Sequence, residues 1–532
     1  MKGKDLEKYL SVPGFEKITF GEILDTWGKT RGDKIAVKDR MQTITYAELA
    51  EKSQMLTGRL RAIGIEKDSI VALQCTNEIC FVAVFFALLY MGAVPIMILP
   101  AYREQEIVRM MQKAEAKAYI GPVEYLGYGY DTISTAIKRE IPEAVTLLID
   151  DTFVDAEKSE CTEDAVPSME AGIAYDDIAV LLLSGGTTGE PKLIPRTHGD
   201  YIYNARVTAE RSCLGSQSVY LASLSIAHNM PLACPGLLGT LYAGGTVVLS
   251  YYSSPDEILE LIEEEEVTVM GIVPTLAQLC MELQETDEYD LSSLEVIITG
   301  GARLEPEIAE EIIASFGCVL QNQFGTAEGL VMSTALQDPV EWTMKYQGRP
   351  ASEAEEIILI DEAGRPVPEG ESGELVVKGP CTIESYYHEP HLTDKFTADG
   401  YYRTGDRAVI AECGNVCVLG RMKEQINRAG EKIQPSEIEE NLMKLEGIQK
   451  AVALAVPDEL LGQRSCAFIQ LKSGYAFDKN RICAILQQKG IVHYKIPDQI
   501  EVIEEWPITK VGKVDINELR RKAENCGDGG KQ

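Results

Sequence analysis

Apolar runs alternate along this chain with stretches whose apolar residues recur at helical spacing, which predicts layered sheets and helices, an α/β fold. Val180 to Leu183, Val267 to Val273 and Leu294 to Thr299 read as buried strands. Ser254-Pro255-Asp256-Glu257 starts a helix whose apolar face is Ile258, Leu259, Leu261 and Ile262, and its acidic end, Glu263 to Glu266, reads as solvated. Ile79 to Pro100 carries no charge and is long enough to cross a bilayer. Gly92 and Pro95 divide it into a helix-length piece, Phe81 to Tyr90, and a strand-length piece, Val94 to Leu99. A buried helix followed by a buried strand is therefore the expectation, with no membrane span.

From about residue 355 the pattern shortens into strands and turns, as in Glu374 to Lys378. Near Gly420-Arg421-Met422-Lys423 it changes again, to a compact α+β pattern. Helices are expected near 436–446 and 480–489, and strands near 451–456 and 466–471. This places a boundary between residues 1–420 and 421–532.

Composition excludes some partners. A formal net charge of −33 repels nucleic acid and anionic membrane over most of the surface, so a polyanion must meet a local cationic site. Thirteen cysteines, an odd number without a Cys-x-x-Cys pair, fit a reducing cytoplasm better than a disulfide framework. Cys413 and Cys417 lack the further ligands of a zinc site. The amino terminus has no apolar stretch of the secretory kind.

The strand at Val180 to Leu183 runs into Ser184-Gly185-Gly186-Thr187-Thr188-Gly189 and then Lys192. Such a loop can wrap N–H groups and hydroxyls around phosphate oxygens, because glycine tolerates positive φ. Glu190 and Pro191 separate Gly189 from Lys192, so it is not a Walker A loop. Leu294 to Thr299 likewise opens into Gly300-Gly301-Ala302-Arg303, and such strand ends are where open α/β sheets bind ligands.

The loop resembles the phosphate loop of the acyl-adenylate-forming enzymes, and further segments match that family in order. They are Ile44 to Leu49, Phe324 to Gly329, Gly373 to Pro380, Tyr402 to Asp406, Gly420-Arg421, Ile426 to Ile433 and Pro507 to Lys513. The resemblance implies a large amino-terminal α/β lobe, made of two layered sheets with helices and a small β-rich part, and a small mobile α+β lobe. It implies ATP and Mg²⁺ as cofactors. Ser184, Gly185, Gly186, Thr187, Thr188, Gly189 and Lys192 would hold the phosphates; Gly301, Ala302, Gln323, Phe324, Gly325 and Thr326 would surround the adenine. Asp406 would bind the ribose, with Arg421 nearby. Glu328 would be the metal ligand, and Lys513 the catalytic lysine reaching over from the small lobe. Lys423 occupies the hinge position, where many relatives have aspartate.

His228-Asn-Met-Pro-Leu-Ala-Cys-Pro-Gly236 resembles, more narrowly, the stand-alone aryl-acid adenylating enzymes of siderophore biosynthesis. Asn229 would then bond the 2-hydroxyl of 2,3-dihydroxybenzoate or salicylate. Met230, Cys234, Gly301 and Val331 would complete the pocket, and His228 would stand where it meets the thiol tunnel. Cys234, in place of a common serine, favours salicylate because thiol hydrogen bonds are weak; Val331 leaves room for the extra hydroxyl. No phosphopantetheine attachment motif appears near the carboxyl terminus, so the acceptor would be a separate aryl carrier protein, with coenzyme A as the alternative. A non-catalytic nucleotide-binding protein is the competing class, and retention of Lys192, Glu328, Asp406 and Lys513 speaks against it.

Overall fold

The computed structural model describes residues 3–155, 172–183, 192–422, 426–428, 431–433, 435–458, 461–476, 478–489, 491, 495–509 and 513–527. A nine-stranded sheet carries the site. Its parallel centre is Thr246–Leu249, Val219–Ala222, Val269–Ile272, Val296–Thr299 and Val319–Gly325. A six-stranded sheet holds Leu193–Thr197, Ile178–Leu183, Val94–Ile98, Ile70–Gln74, Ala118–Pro122 and Val145–Ile149. A four-stranded antiparallel sheet follows, from Glu356–Ile360 to Val416–Arg421. The next sheet begins at Ile426–Arg428 and has five strands, backed by the helices Pro435–Met443, Lys479–Gln488 and Ile516–Gly527. The expected layered α/β lobe and smaller α+β lobe are both present.

The uncharged stretch forms the helix Ile79–Met91 and the strand Val94–Ile98. Every residue of the helix is buried, so it needs no polar face. Gly92 ends it in the left-handed region (φ 74°), where a side chain would be strained, and its N–H bonds back to Leu88 and Leu89. Among the described residues no helix is long and apolar enough to cross a membrane. Helix Pro255–Glu264 and strands Val269–Ile272, Val296–Thr299 and Gly373–Lys378 lie where the apolar spacing puts them.

Candidate functional site

Strands Val219–Ala222, Val296–Thr299 and Val319–Gly325 give way at their carboxyl ends to turns, and candidate site residues lie in and after these turns. Thr299 leads into Gly300 and Gly301, and Gly301 sits at φ 77°. A Cβ at Gly300 would lie 3.1 Å from the Gln323 carbonyl and 3.2 Å from Met230 Sδ, so glycine here lets the Met230 side chain lie against the strand ends. Gly301, Ala302 and Gly325 are exposed at the rim, Phe324 and Thr326 are partly buried, and Gln323 is buried. Ser184 to Gly189 and Lys423 lie outside the described residues.

After strand Val219–Ala222 the chain presents His228 and the short helix Asn229–Ala233. Tyr201, on helix His198–Arg211, donates its hydroxyl to Asn229 Oδ1 at 2.9 Å. The Asn229 side-chain carbonyl is thereby engaged, and the Asn229 side chain also hydrogen-bonds Cys234. Asn204, one turn along the same helix, donates to the Ala233 carbonyl at 2.7 Å and to Cys234 Sγ at 3.6 Å. Burial pushes the Cys234 thiol up to about 11, so it stays protonated at neutral pH. Val331 is buried beside Gly325, its paired residue on the neighbouring strand.

Asp406 and Arg421 are cross-strand partners in the four-stranded sheet, and Arg421 Nε stands 3.1 Å from Asp406 Oδ1. Asp406 is buried while Arg421 is largely exposed. Lys513 precedes Val514, which bridges to Ile508, and its carbonyl accepts from Thr509 N–H at 2.7 Å. The Lys513 side chain keeps solvent access, yet crowding by protein lowers its pKa below the ordinary lysine value. Arg421 lowers it further and Asp406 opposes both. His228 is held down to about 4, first by burial and then by the charge of Lys513. Lys513 is therefore within electrostatic reach of His228, Asp406 and Arg421.

Glu328 is buried in a turn fixed from three sides. Its carboxylate accepts from the Tyr386 hydroxyl at 2.8 Å, and its carbonyl accepts from Ile383 N–H at 2.8 Å. Arg196, fully buried and paired with Asp200 at 2.8 Å, donates to the Ala327 carbonyl at 3.3 Å. Lys192 Nζ lies 4.8 Å from the centre of the Tyr386 ring. One hard carboxylate fits the Mg²⁺ that accompanies a nucleotide, since that ion keeps waters and phosphate oxygens as its other ligands.

Sequence reading had assigned no site role to Tyr201, Asn204, Arg196 or Tyr386. The three-residue spacing of Tyr201 and Asn204 on one helix face was a usable signal. Tyr386 offered none, because its partner is 58 residues away.

The chain matches the family model of AMP-binding enzymes over residues 24–387 and that of the AMP-binding enzyme C-terminal domain over residues 437–513. It is 41% identical to the 2,3-dihydroxybenzoate-AMP ligase of Bacillus subtilis, over 94% of this chain and 93% of that one. It is 38% identical to a salicylyl-CoA synthase / salicylate adenylyltransferase of a Streptomyces species, over 94% of this chain and 93% of that one. Among solved structures it is similar to the apo structure of Mycobacterium smegmatis MbtA, with a TM-score of 0.73, 33% identity and 98% of each chain covered.

Proposed function

Because this chain belongs to the family of AMP-binding enzymes, we propose that it activates an aryl acid, 2,3-dihydroxybenzoate or salicylate, as the aryl-adenylate for siderophore assembly. The aryl carboxylate oxygen attacks the α-phosphorus of ATP, a C–O–P bond forms, and the bond to the departing pyrophosphate breaks. A benzoate is already ionised at neutral pH, so the step needs positioning and charge stabilisation rather than a base. The adenylate then gives its acyl group to a thiol with loss of AMP. That thiol is the phosphopantetheine of a separate aryl carrier protein, in the cytoplasm.

The observation that carries this reading is that Lys513 lies within electrostatic reach of His228 and of the Arg421–Asp406 pair, whose Nε and Oδ1 are 3.1 Å apart. An ammonium and a guanidinium there suit developing negative charge on the α-phosphate. A two-oxygen acceptor such as Asp406 suits a pair of ribose hydroxyls. Ser184 to Gly189 and Lys192 would hold the β- and γ-phosphates, and Glu328 the Mg²⁺ that travels with them. Gly301, Ala302, Gln323, Phe324, Gly325 and Thr326 would enclose the adenine. Asn229, with its oxygen taken by Tyr201, would offer an N–H to the 2-hydroxyl oxygen. Met230, Cys234 and Val331 would line the ring. Cys234 Sγ already accepts from Asn204, which weakens its claim on a 3-hydroxyl. Both acids should be used, with discrimination of about 1–3 kcal/mol. Lys423 would be the pivot for the rotation that exchanges Lys513 for the incoming thiol.

Exchange of radiolabelled pyrophosphate into ATP tests this directly. We expect either acid to support exchange, and Lys513→Ala to slow it about 100-fold, the usual cost of one charge-stabilising donor. Absence of exchange with both acids would overturn the substrate class, and undiminished exchange in the variant would overturn the role of Lys513. Transfer to coenzyme A is the second reading, favoured by the name of the Streptomyces relative. Fast release of aryl-CoA without a carrier would establish it.

A further inference from the structure

One aromatic ring joins the two charged groups expected at the triphosphate. The Tyr386 hydroxyl donates to Glu328 Oε1 at 2.8 Å, and the face of its ring lies 4.8 Å from Lys192 Nζ. The backbone on either side is tied down as well. Ile383 N–H donates to the Glu328 carbonyl at 2.8 Å, and Tyr387 N–H donates to the Leu193 carbonyl, next to Lys192, at 2.9 Å. The ring is buried, meets Phe396 edge-on with centroids 6.4 Å apart, and has the Tyr402 hydroxyl 3.5 Å from its own. It therefore has one place to be.

The Glu328 carboxylate accepts from the Tyr386 hydroxyl and is hydrogen-bonded to Tyr402 as well, so its orientation is restricted. An ammonium over an aromatic face is likewise steered without losing its charge. We propose that Tyr386 is a positioning residue for the metal–triphosphate end of the nucleotide, setting Glu328 through its hydroxyl and Lys192 through its ring. This rests on the proposed roles of Glu328 towards the cation and of Lys192 towards the phosphates. The two halves of the ring's work are separable by substitution, because phenylalanine keeps the face and loses the hydroxyl.

The test measures binding rather than turnover. Mn²⁺ affinity of the full-length protein with a non-hydrolysable ATP analogue is read by electron paramagnetic resonance, and metal-free affinity for the same analogue by calorimetry. Tyr386→Phe should weaken Mn²⁺ about tenfold, the scale seen for residues that orient metal ligands, and leave metal-free nucleotide affinity unchanged. Tyr386→Leu should weaken both. In pyrophosphate exchange Tyr386→Phe should raise KM for Mg·ATP and leave KM for the aryl acid unchanged. Glu328→Gln separates the two levels of the argument. If it weakens Mn²⁺ while Tyr386→Phe does not, the Tyr386 proposal alone is overturned. If Glu328→Gln itself leaves Mn²⁺ affinity intact, the role of Glu328 and the proposal fall together.

Discussion

His198 opens its helix with Nδ1 accepting the Phe20 N–H at 3.2 Å, an arrangement that only a neutral ring can keep. Burial pulls its pKa down to about 4, against the opposing charges of Asp177 and Asp200. A histidine whose pKa is lower folded than unfolded stabilises the fold above the unfolded value and loses that contribution as pH falls. For His198 the loss runs from about pH 6.5 to pH 4 and amounts to about 3 kcal/mol. Urea unfolding of the protein and of His198→Gln at pH 7 and pH 4 checks this; the variant should lose less on acidification. At the same scale, Asp406, Arg421 and Lys513 were legible because each stands in a short string of specified neighbours. Arg196 was not: its Asp200 partner is four residues on, but the Ala327 carbonyl that ties it to the site lies 131 residues away.

Between elements, the turn carrying Glu328 is pressed against the segment 379–383. Gly329 sits at φ 138°, and a Cβ there would come within 2.1 Å of the Cys381 carbonyl oxygen and 2.5 Å of Thr382 Cα. Nor can that segment retreat, since Lys4 Nζ donates to the Pro380 carbonyl and, at 2.6 Å, to the Thr382 carbonyl. Gly329→Ala should therefore cost roughly 2–4 kcal/mol in stability, from backbone strain and overpacking together. Calorimetric unfolding would register it, and exchange activity should fall as Glu328 shifts. Most elements were legible from apolar spacing and glycine punctuation, as with Ile79–Met91 and its Gly92 stop. Helix Ile516–Gly527 is not marked by the sequence pattern: its fully buried residues, among those whose burial is described, are Leu519 and Ala523, too narrow a stripe to stand out among charged neighbours.

Across the whole molecule, polar contacts join the two lobes among the described residues. Arg303, beside the Gly300-Gly301 turn, reaches Glu440 of helix Pro435–Met443 at 2.5 Å, and Ser436 Oγ donates to the Leu419 carbonyl at 3.0 Å. An exposed ion pair is worth up to about 1 kcal/mol, which is about fivefold in the balance between lobe arrangements. Arg303→Ala should slow pyrophosphate exchange by no more than that factor and leave acyl transfer from preformed adenylate unchanged; rapid-mixing assays of each half-reaction would show it, and high salt should erase the difference. Lys513 also feels the Arg421 guanidinium at the end of the four-stranded sheet. Asp406 offsets part of that repulsion, and the phosphates of a nucleotide lodged between the two cations would offset the rest. Filling the site with a polyanion would then also tighten the hold of Lys513 on the large lobe.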